Sequence, residues 1–156
     1  MSDKLDHHKF MDRCIELANR AMLKGNPPVG ALLLKNGDII AEGIEAGKSR
    51  GDVTAHAEIE VFKNAKIKGY NEFTDCTLYS THEPCVMCSY VIRYYKVQKV
   101  VIGLEVEELG GFSSKYALLS DDQISKWKET PLLIKGIERE RIEELNEIYR
   151  ILKKRG

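Results

Sequence analysis

The chain has 156 residues, of which 43% are hydrophobic and 31% are charged, a composition typical of one water-soluble globular domain spanning residues 1–156. Basic and acidic residues both number 24, so the chain lacks the basic excess of a protein that binds nucleic acid nonspecifically. No apolar run approaches the roughly 20 residues of a membrane-spanning helix, and the N-terminus has no signal-peptide core. We therefore expect a cytoplasmic protein without a membrane partner.

Local patterns along the chain predict alternating helices and strands. Apolar spacings of three and four favour an amphipathic first helix that ends at Gly25. Asn36-Gly37 between two apolar runs is a strong hairpin signal, Thr54 is suited to cap a helix, and Pro84 fits the first turn of another. The predicted elements are a helix at about 4–24, strands at 29–34 and 39–41, a helix at 55–67, a strand at 76–80, a helix at 84–95, a strand at 97–102, an irregular stretch with a short helix at 110–122, a strand at 132–134 and a helix at 137–152. This order predicts a three-layer α/β/α sandwich with a mixed central sheet of about five strands.

Two short motifs, His56-Ala57-Glu58 and Pro84-Cys85-Val86-Met87-Cys88, bring together the side chains of a metal site. Cys85 and Cys88 are three residues apart in the first turn of a predicted helix, where the positive end of the helix dipole favours thiolates. His56 stands similarly at the start of the preceding helix. Two thiolates balance the charge of Zn²⁺, and with one neutral imidazole they leave the fourth position open for water, as in catalytic zinc sites.

Glu58 distinguishes a catalytic zinc site from a structural one. In the first helical turn its carboxylate can reach the same ion as His56 and take a proton from a coordinated water. The alternative is a closed structural site, for which His82 or Cys76 would be the nearest fourth ligand. The carboxylate beside His56 favours the catalytic interpretation, and Cys76 is predicted to be a core residue, like Cys14.

These motifs resemble those of the zinc-dependent cytidine-deaminase-like superfamily. Segments 28–31, 52–58, 77–88 and 99–103 are similar to its branch of guanine deaminases, cytosine deaminases and tRNA adenosine deaminases, and the resemblance extends over about residues 8–112. It implies a hydrolytic deaminase that forms homodimers. It also implies roles for six positions: zinc ligation by His56, Cys85 and Cys88, proton transfer by Glu58, and a pocket lined by Ala57 and Val29.

The chain departs from this branch at positions that would face the substrate. Glu45 stands where the branch commonly has an asparagine, and an ionised carboxylate accepts hydrogen bonds but donates none. We therefore expect Glu45 to favour a substrate edge rich in N–H groups, the alternative being that it turns into solvent. Tyr94 and Phe112 resemble aromatic pocket residues of guanine deaminases, the alternative for each being core packing. Ser113-Ser114 follows Phe112 where those enzymes carry acidic residues.

The function favoured by the sequence is hydrolytic deamination of a small aminated heterocycle, namely a nucleobase or nucleoside such as guanine, or a related purine, pyrimidine or pterin. The alternative is a tRNA-specific adenosine deaminase that forms inosine and contacts phosphates through a rim of Lys48, Arg50, Arg93 and Lys96. The zero net charge and the acidic run at 105–108 disfavour it. A lesser alternative is a noncatalytic, zinc-stabilised partner subunit, which the presence of Glu58 disfavours.

Overall fold

The structure, a computed structural model, describes residues 6–155. The elements in chain order are α1 (His7–Leu23), β1 (Gly30–Lys35), β2 (Asp38–Ile44), α2 (Gly47–Arg50), α3 (Ala57–Ile67), β3 (Cys76–His82), α4 (Val86–Tyr94), β4 (Lys99–Leu104), β5 (Leu132–Ile134) and α5 (Arg139–Arg155). The five strands form one mixed sheet in the order β2-β1-β3-β4-β5, with β1 antiparallel to β2 and β3, and β4 parallel to β3 and β5. The predicted mixed sheet of five strands is confirmed.

Helices cover both faces of the sheet, so the central strands are buried on both sides. Along β1, Ala31 and Leu33 pack in the core formed with α3 and α4, whereas Leu32 and Leu34 pack in the core formed with α1 and α5. This alternation follows from the two-residue repeat of a strand and explains the continuous apolar run in β1. Cys14 and Cys76 are fully buried, one in each core, as predicted.

Several predicted boundaries shift in the structure. The predicted start of the first helix at residue 4 lies outside the described residues. Thr54 does not cap α3, because its amide and hydroxyl both donate to Asp52, and the N-cap position belongs to His56. Pro84 precedes the N-cap of α4 rather than entering its first turn. Residues 110–122 form turns and bends without the expected short helix, and the four-residue helix α2 was not predicted.

One end of the sheet gathers the elements that carry the motifs. The strand β3 leads directly into α4, so the N-terminus of that helix lies at the carboxyl end of β3. Because β1 is antiparallel to β3 and pairs Ala31 with Ser80, the residue before β1, Val29, lies at the same end. Ligands commonly bind at the carboxyl ends of strands in open α/β sheets. Within residues 6–155, no helix has an apolar stretch long enough to cross a membrane.

Candidate zinc and active site

The structure brings His56, Cys85 and Cys88 into one cluster. His56 Nδ1 lies 3.5 Å from the Sγ atom of each cysteine, and the two sulfurs are 3.7 Å apart. Zinc ligands at about 2.3 Å for sulfur and 2.0 Å for nitrogen, arranged tetrahedrally, are separated by roughly 3.5–3.8 Å. The donor types and their mutual distances therefore fit a zinc ion with three protein ligands.

Two helix N-termini create this cluster. His56 is the N-cap of α3, Cys85 is the N-cap of α4, and neither side chain caps its own helix. The hydrogen bond between the two sulfurs and the contact with the His56 imidazole lower the pKa of Cys85 to about 4. The hydrogen bond between His56 and Cys85 raises the pKa of His56 to about 9. The hydrogen bond between Cys88 and Cys85, together with burial, raises the pKa of Cys88. Zinc binding would release these protons, since the metal takes thiolates and neutral imidazole.

Glu58 lies beside the cluster, in the first turn of α3. Its side chain is buried, with Oε1 accepting from Ser80 Oγ at 2.7 Å and Oε2 3.4 Å from Cys88 Sγ. Burial raises the pKa of the Glu58 carboxyl, and its hydrogen-bond partners within residues 6–155 are Ser80 and Cys88 rather than a basic side chain. A buried acid of this kind is costly to ionise unless a cation is nearby, and such groups cluster at functional sites.

Glu45 is half-buried next to this cluster rather than turned into solvent. Its backbone amide donates to the Val29 carbonyl, and its Oε2 accepts from the amide of Gly47 at 3.0 Å. Burial raises the pKa of Glu45, and the nearby His56 opposes that rise. Its other carboxylate oxygen has no hydrogen-bond partner in the described part of the chain. Val29 also lines a cavity of about 380 Å³ between the start of β1 and α5, which contains no residue of the cluster.

Of two further residues predicted to line the pocket, Ala57 lies beside the cluster and Tyr94 lies away from it. Ala57 is fully buried, and its carbonyl packs so closely on Gly43 that a Cβ atom there would lie 2.5 Å from the oxygen. Tyr94 is 55% exposed and stacks on Tyr90, about 9 Å along α4 from Cys88. The structure therefore brings Glu45, Val29 and Ala57 near the cluster, and leaves Tyr94 on the outer surface of α4.

Phe112 lies in the turn-rich segment that follows β4. Its ring is half-buried, packs on the core beneath α3 and α4, and has Lys135 Nζ 5.7 Å from its centroid. The hydroxyls of Ser113 and Ser114 turn back into the protein, donating to Glu83 Oε1 and the Gly110 carbonyl.

The basic rim expected for RNA contact does not assemble as predicted. Arg93 is only 2% exposed, and its guanidinium donates to the carbonyls of Leu118 and Trp127. Arg50 is paired with Glu60. The prediction for Arg93 was wrong because the sequence of α4 does not reveal that a later segment covers this part of the helix.

Two residues that were not predicted from the sequence support the site, one by contact with Glu58 and one through the segment after β4. Ser80 donates to Glu58, and Glu83 accepts four hydrogen bonds from the segment after β4. Their only sequence signal is their proximity to the Pro84-Cys85 motif. His82, the alternative fourth ligand of a closed structural site, is buried outside the His-Cys-Cys cluster and bonded to Thr81 and Asn146, each at 2.8 Å.

The fold and the His-Cys-Cys cluster with a buried carboxylate define a zinc-dependent hydrolase. The family model of the cytidine and deoxycytidylate deaminase zinc-binding region matches residues 4–104, and the chain belongs to this family of zinc-dependent hydrolytic deaminases. The tRNA-specific adenosine deaminase of Aquifex aeolicus (strain VF5) is 34% identical over 127 residues, which cover 79% of this chain and 84% of that protein. Its counterpart from Streptococcus pyogenes serotype M1 is 32% identical over 117 residues, covering 74% and 68%.

Solved structures similar to this chain include both a tRNA deaminase and a guanine deaminase. The chain is similar to a structure from a study of A-to-I editing by tRNA:A34 deaminases, with a TM-score of 0.80, 28% identity, and coverage of 88% of this chain and 98% of the other. It is also similar to a guanine deaminase from Bacillus subtilis, with a TM-score of 0.60, 36% identity, and coverage of 64% and 65%. The relatives in sequence quoted above are thus tRNA deaminases, the alternative prediction from the sequence, whereas the structural neighbours include guanine deaminases as well.

Proposed function

We propose that this protein deaminates adenosine within tRNA, forming inosine and ammonia. The observation that carries the proposal is the similarity to tRNA-specific adenosine deaminases over about three quarters of the chain. The full-length coverage of a tRNA:A34 deaminase structure supports it further. We prefer this proposal to the small aminated heterocycle, a nucleobase or nucleoside, that we favoured from the sequence alone.

In this proposal His56, Cys85 and Cys88 hold the zinc ion, which when bound supplies Lewis acidity that lowers the pKa of water. Glu58 accepts a proton from the attacking water and delivers it to the ring nitrogen next to the amine-bearing carbon. It then moves a second proton to the departing amine, so that water is consumed, ammonia leaves and a carbonyl remains. The hydrogen bond from Ser80 holds the Glu58 carboxyl in the orientation that both transfers need.

The segment after β4 favours adenosine over guanine. Guanine presents N–H donors next to its 2-amino group, which a carboxylate would accept, whereas the corresponding edge of adenine has no amino group. Here Ser113 and Ser114 stand where the resemblance places acidic residues, and both hydroxyls point into the protein. No carboxylate from these two positions is thus available to read a 2-amino group.

Glu45 favours a second candidate, a small free base with a donor-rich edge. Its unpartnered oxygen beside the cluster suits an amidine or guanidine edge, and the loss of Arg93 from the expected rim weakens the RNA interface. Guanine deamination is therefore the second candidate function.

The two candidates are separated by measuring inosine in an anticodon stem-loop RNA and ammonia from a panel of free bases with the same zinc-loaded preparation. We expect inosine in the RNA and little ammonia from free bases. Ammonia from guanine without inosine formation would reverse this order.

A Glu45→Asn variant tests the role of that carboxylate in either case. We expect the ratio of kcat/KM for RNA over free base to change while zinc content stays the same. Glu42→Asn, on the neighbouring strand β2, is the matched control and should leave the ratio unchanged. Unchanged ratios for both variants would remove Glu45 from substrate recognition. The predicted homodimer and single domain stay predictions, which analytical ultracentrifugation and limited proteolysis would test.

A further inference from the structure

Glu83 carries a buried carboxylate whose charge is stabilised by hydrogen bonds rather than by a cation. The residue is 3% exposed, and no ion pair involves it within the described residues. Its oxygens accept from the amides of Val106, Phe112 and Ser113 at 3.0, 2.8 and 2.8 Å, and from Ser113 Oγ at 2.5 Å. All four donors belong to one segment, residues 106–113, which we call the strap.

The strap also runs antiparallel to the chain around Cys85. Cys85 and Gly110 form an isolated bridge, in which the Val86 amide donates to the Leu109 carbonyl at 3.0 Å and the Gly111 amide donates to the Pro84 carbonyl at 2.8 Å. The strap is therefore attached on one side to Glu83 and on the other to the backbone that presents the Cys85 sulfur.

The strap fits this position closely. A Cβ atom on Gly110 would collide with the Glu83 carboxylate, and one on Gly111 would collide with Ser89 Oγ in the first turn of α4. Glycine at both positions lets the strap backbone lie directly against the carboxylate and the helix. Because the strap is packed this closely, a change at Glu83 should shift the strap backbone itself.

We infer that Glu83 is a positioning residue that fixes Cys85 in its ligand geometry through the strap. A carboxylate offers two oxygens to the four donors, whereas glutamine would offer one oxygen and turn an N–H₂ group toward other donors. The unsatisfied contacts would loosen the strap and with it the backbone on either side of Cys85. Replacing a residue that orients a metal ligand without binding the metal itself typically weakens metal affinity by about 10–100-fold.

The experiment measures zinc affinity by competition with a chromophoric chelator, using purified full-length protein. Glu83→Gln should bind zinc about 10-fold or more weakly than wild type. Glu83→Asp, which keeps the charge but shortens the side chain, should fall between the two. Ser113→Ala removes one donor of the four and should weaken zinc binding measurably, but by less than Glu83→Gln does.

The matched control is Glu42→Gln, which removes a hydrogen-bonded carboxylate on β2 that does not touch the strap. Its zinc affinity should equal that of wild type even though its stability falls. A zinc affinity of Glu83→Gln equal to wild type, or a loss that Glu42→Gln reproduces, would overturn the inference. If Glu83→Gln does not fold, wild-type affinity in both Glu83→Asp and Ser113→Ala would overturn it.

The inference rests on the proposed role of Cys85 as a zinc ligand, not on the identity of the substrate. Cys85→Ser, measured in parallel, distinguishes a wrong assignment of Cys85 as a ligand from a wrong role for Glu83. If zinc binding survives in Cys85→Ser, the ligand assignment is wrong and the inference falls with it. If Cys85→Ser loses zinc while Glu83→Gln keeps full affinity, only the role of Glu83 is wrong.

Discussion

Replacing Arg93 with methionine tests whether this arginine is a structural residue or an RNA contact. The guanidinium donates to the carbonyls of Leu118 and Trp127, and each hydrogen bond from a charged group contributes about 1.5–3 kcal/mol. Burial lowers the pKa of Arg93, which reflects a desolvation cost that the substitution relieves. The net loss in the free energy of unfolding should therefore be roughly 2–4 kcal/mol, because two buried carbonyls lose their donor.

Urea unfolding measures this loss, with a convenient probe close to the substitution. Trp127 is the only tryptophan of the chain, and Arg93 lies 5.8 Å from the centre of its ring. Arg93→Lys is the matched control, since lysine keeps the charge but cannot donate to both carbonyls at once. The free energy of unfolding should fall by about half as much as in Arg93→Met. Zinc content and kcat of the folded Arg93→Met protein should stay unchanged. A free energy of unfolding within about 0.5 kcal/mol of wild type, with RNA binding that loses part of its salt dependence, would refute the structural role.

Three further predictions concern the site and its support. Glu58→Gln should lower kcat by about 10²–10⁴-fold in an ammonia-release assay while metal analysis finds the same zinc content, and a wild-type rate would remove Glu58 from the proton transfers. Gly43→Ala should destabilise the fold by roughly 1–3 kcal/mol in thermal unfolding, because the new Cβ atom would lie 2.5 Å from the Ala57 carbonyl, and an unchanged Tm would contradict this packing. The hydrogen-bonded Arg13 lowers the pKa of Glu42 in the folded state, so the pair contributes stability above the unfolded pKa of that carboxyl and loses it as pH falls through the folded value. Glu42→Gln should therefore cost about 1 kcal/mol near neutral pH and progressively less in urea unfolding as the pH falls below the unfolded pKa of the carboxyl, and a pH-independent difference would exclude this linkage.

The zinc ligands could be predicted because metal chemistry restricts both residue type and spacing. His56, Cys85 and Cys88 stand at helix starts that short-range signals reveal, and the structure places their ligand atoms within 4.8 Å of one another. The hairpin was equally predictable, since Asn36 and Gly37 both adopt the positive φ angles that a two-residue turn requires.

The roles of Glu83 and Arg93 could not be predicted, because both depend on segments without periodic structure. Glu83 is satisfied by the strap, a turn-rich stretch in which no hydrophobic repeat indicates what the backbone amides will contact. Arg93 is covered by residues around Trp127, more than thirty positions later, and its own helix gives no sign of that cover. The motifs specify the metal and the proton carrier but not the substrate, because the substrate pocket depends on loops.

Our proposal that this zinc-dependent deaminase acts on adenosine in tRNA, with Glu58 as its proton carrier, can be tested directly on RNA. The measurement is the inosine content of an anticodon stem-loop RNA after incubation with the zinc-loaded protein, determined by nuclease digestion and chromatography. We expect inosine from the wild type and a rate about 10²–10⁴-fold lower from Glu58→Gln. An RNA that retains all its adenosine while guanine releases ammonia, or equal inosine formation by both proteins, would contradict it.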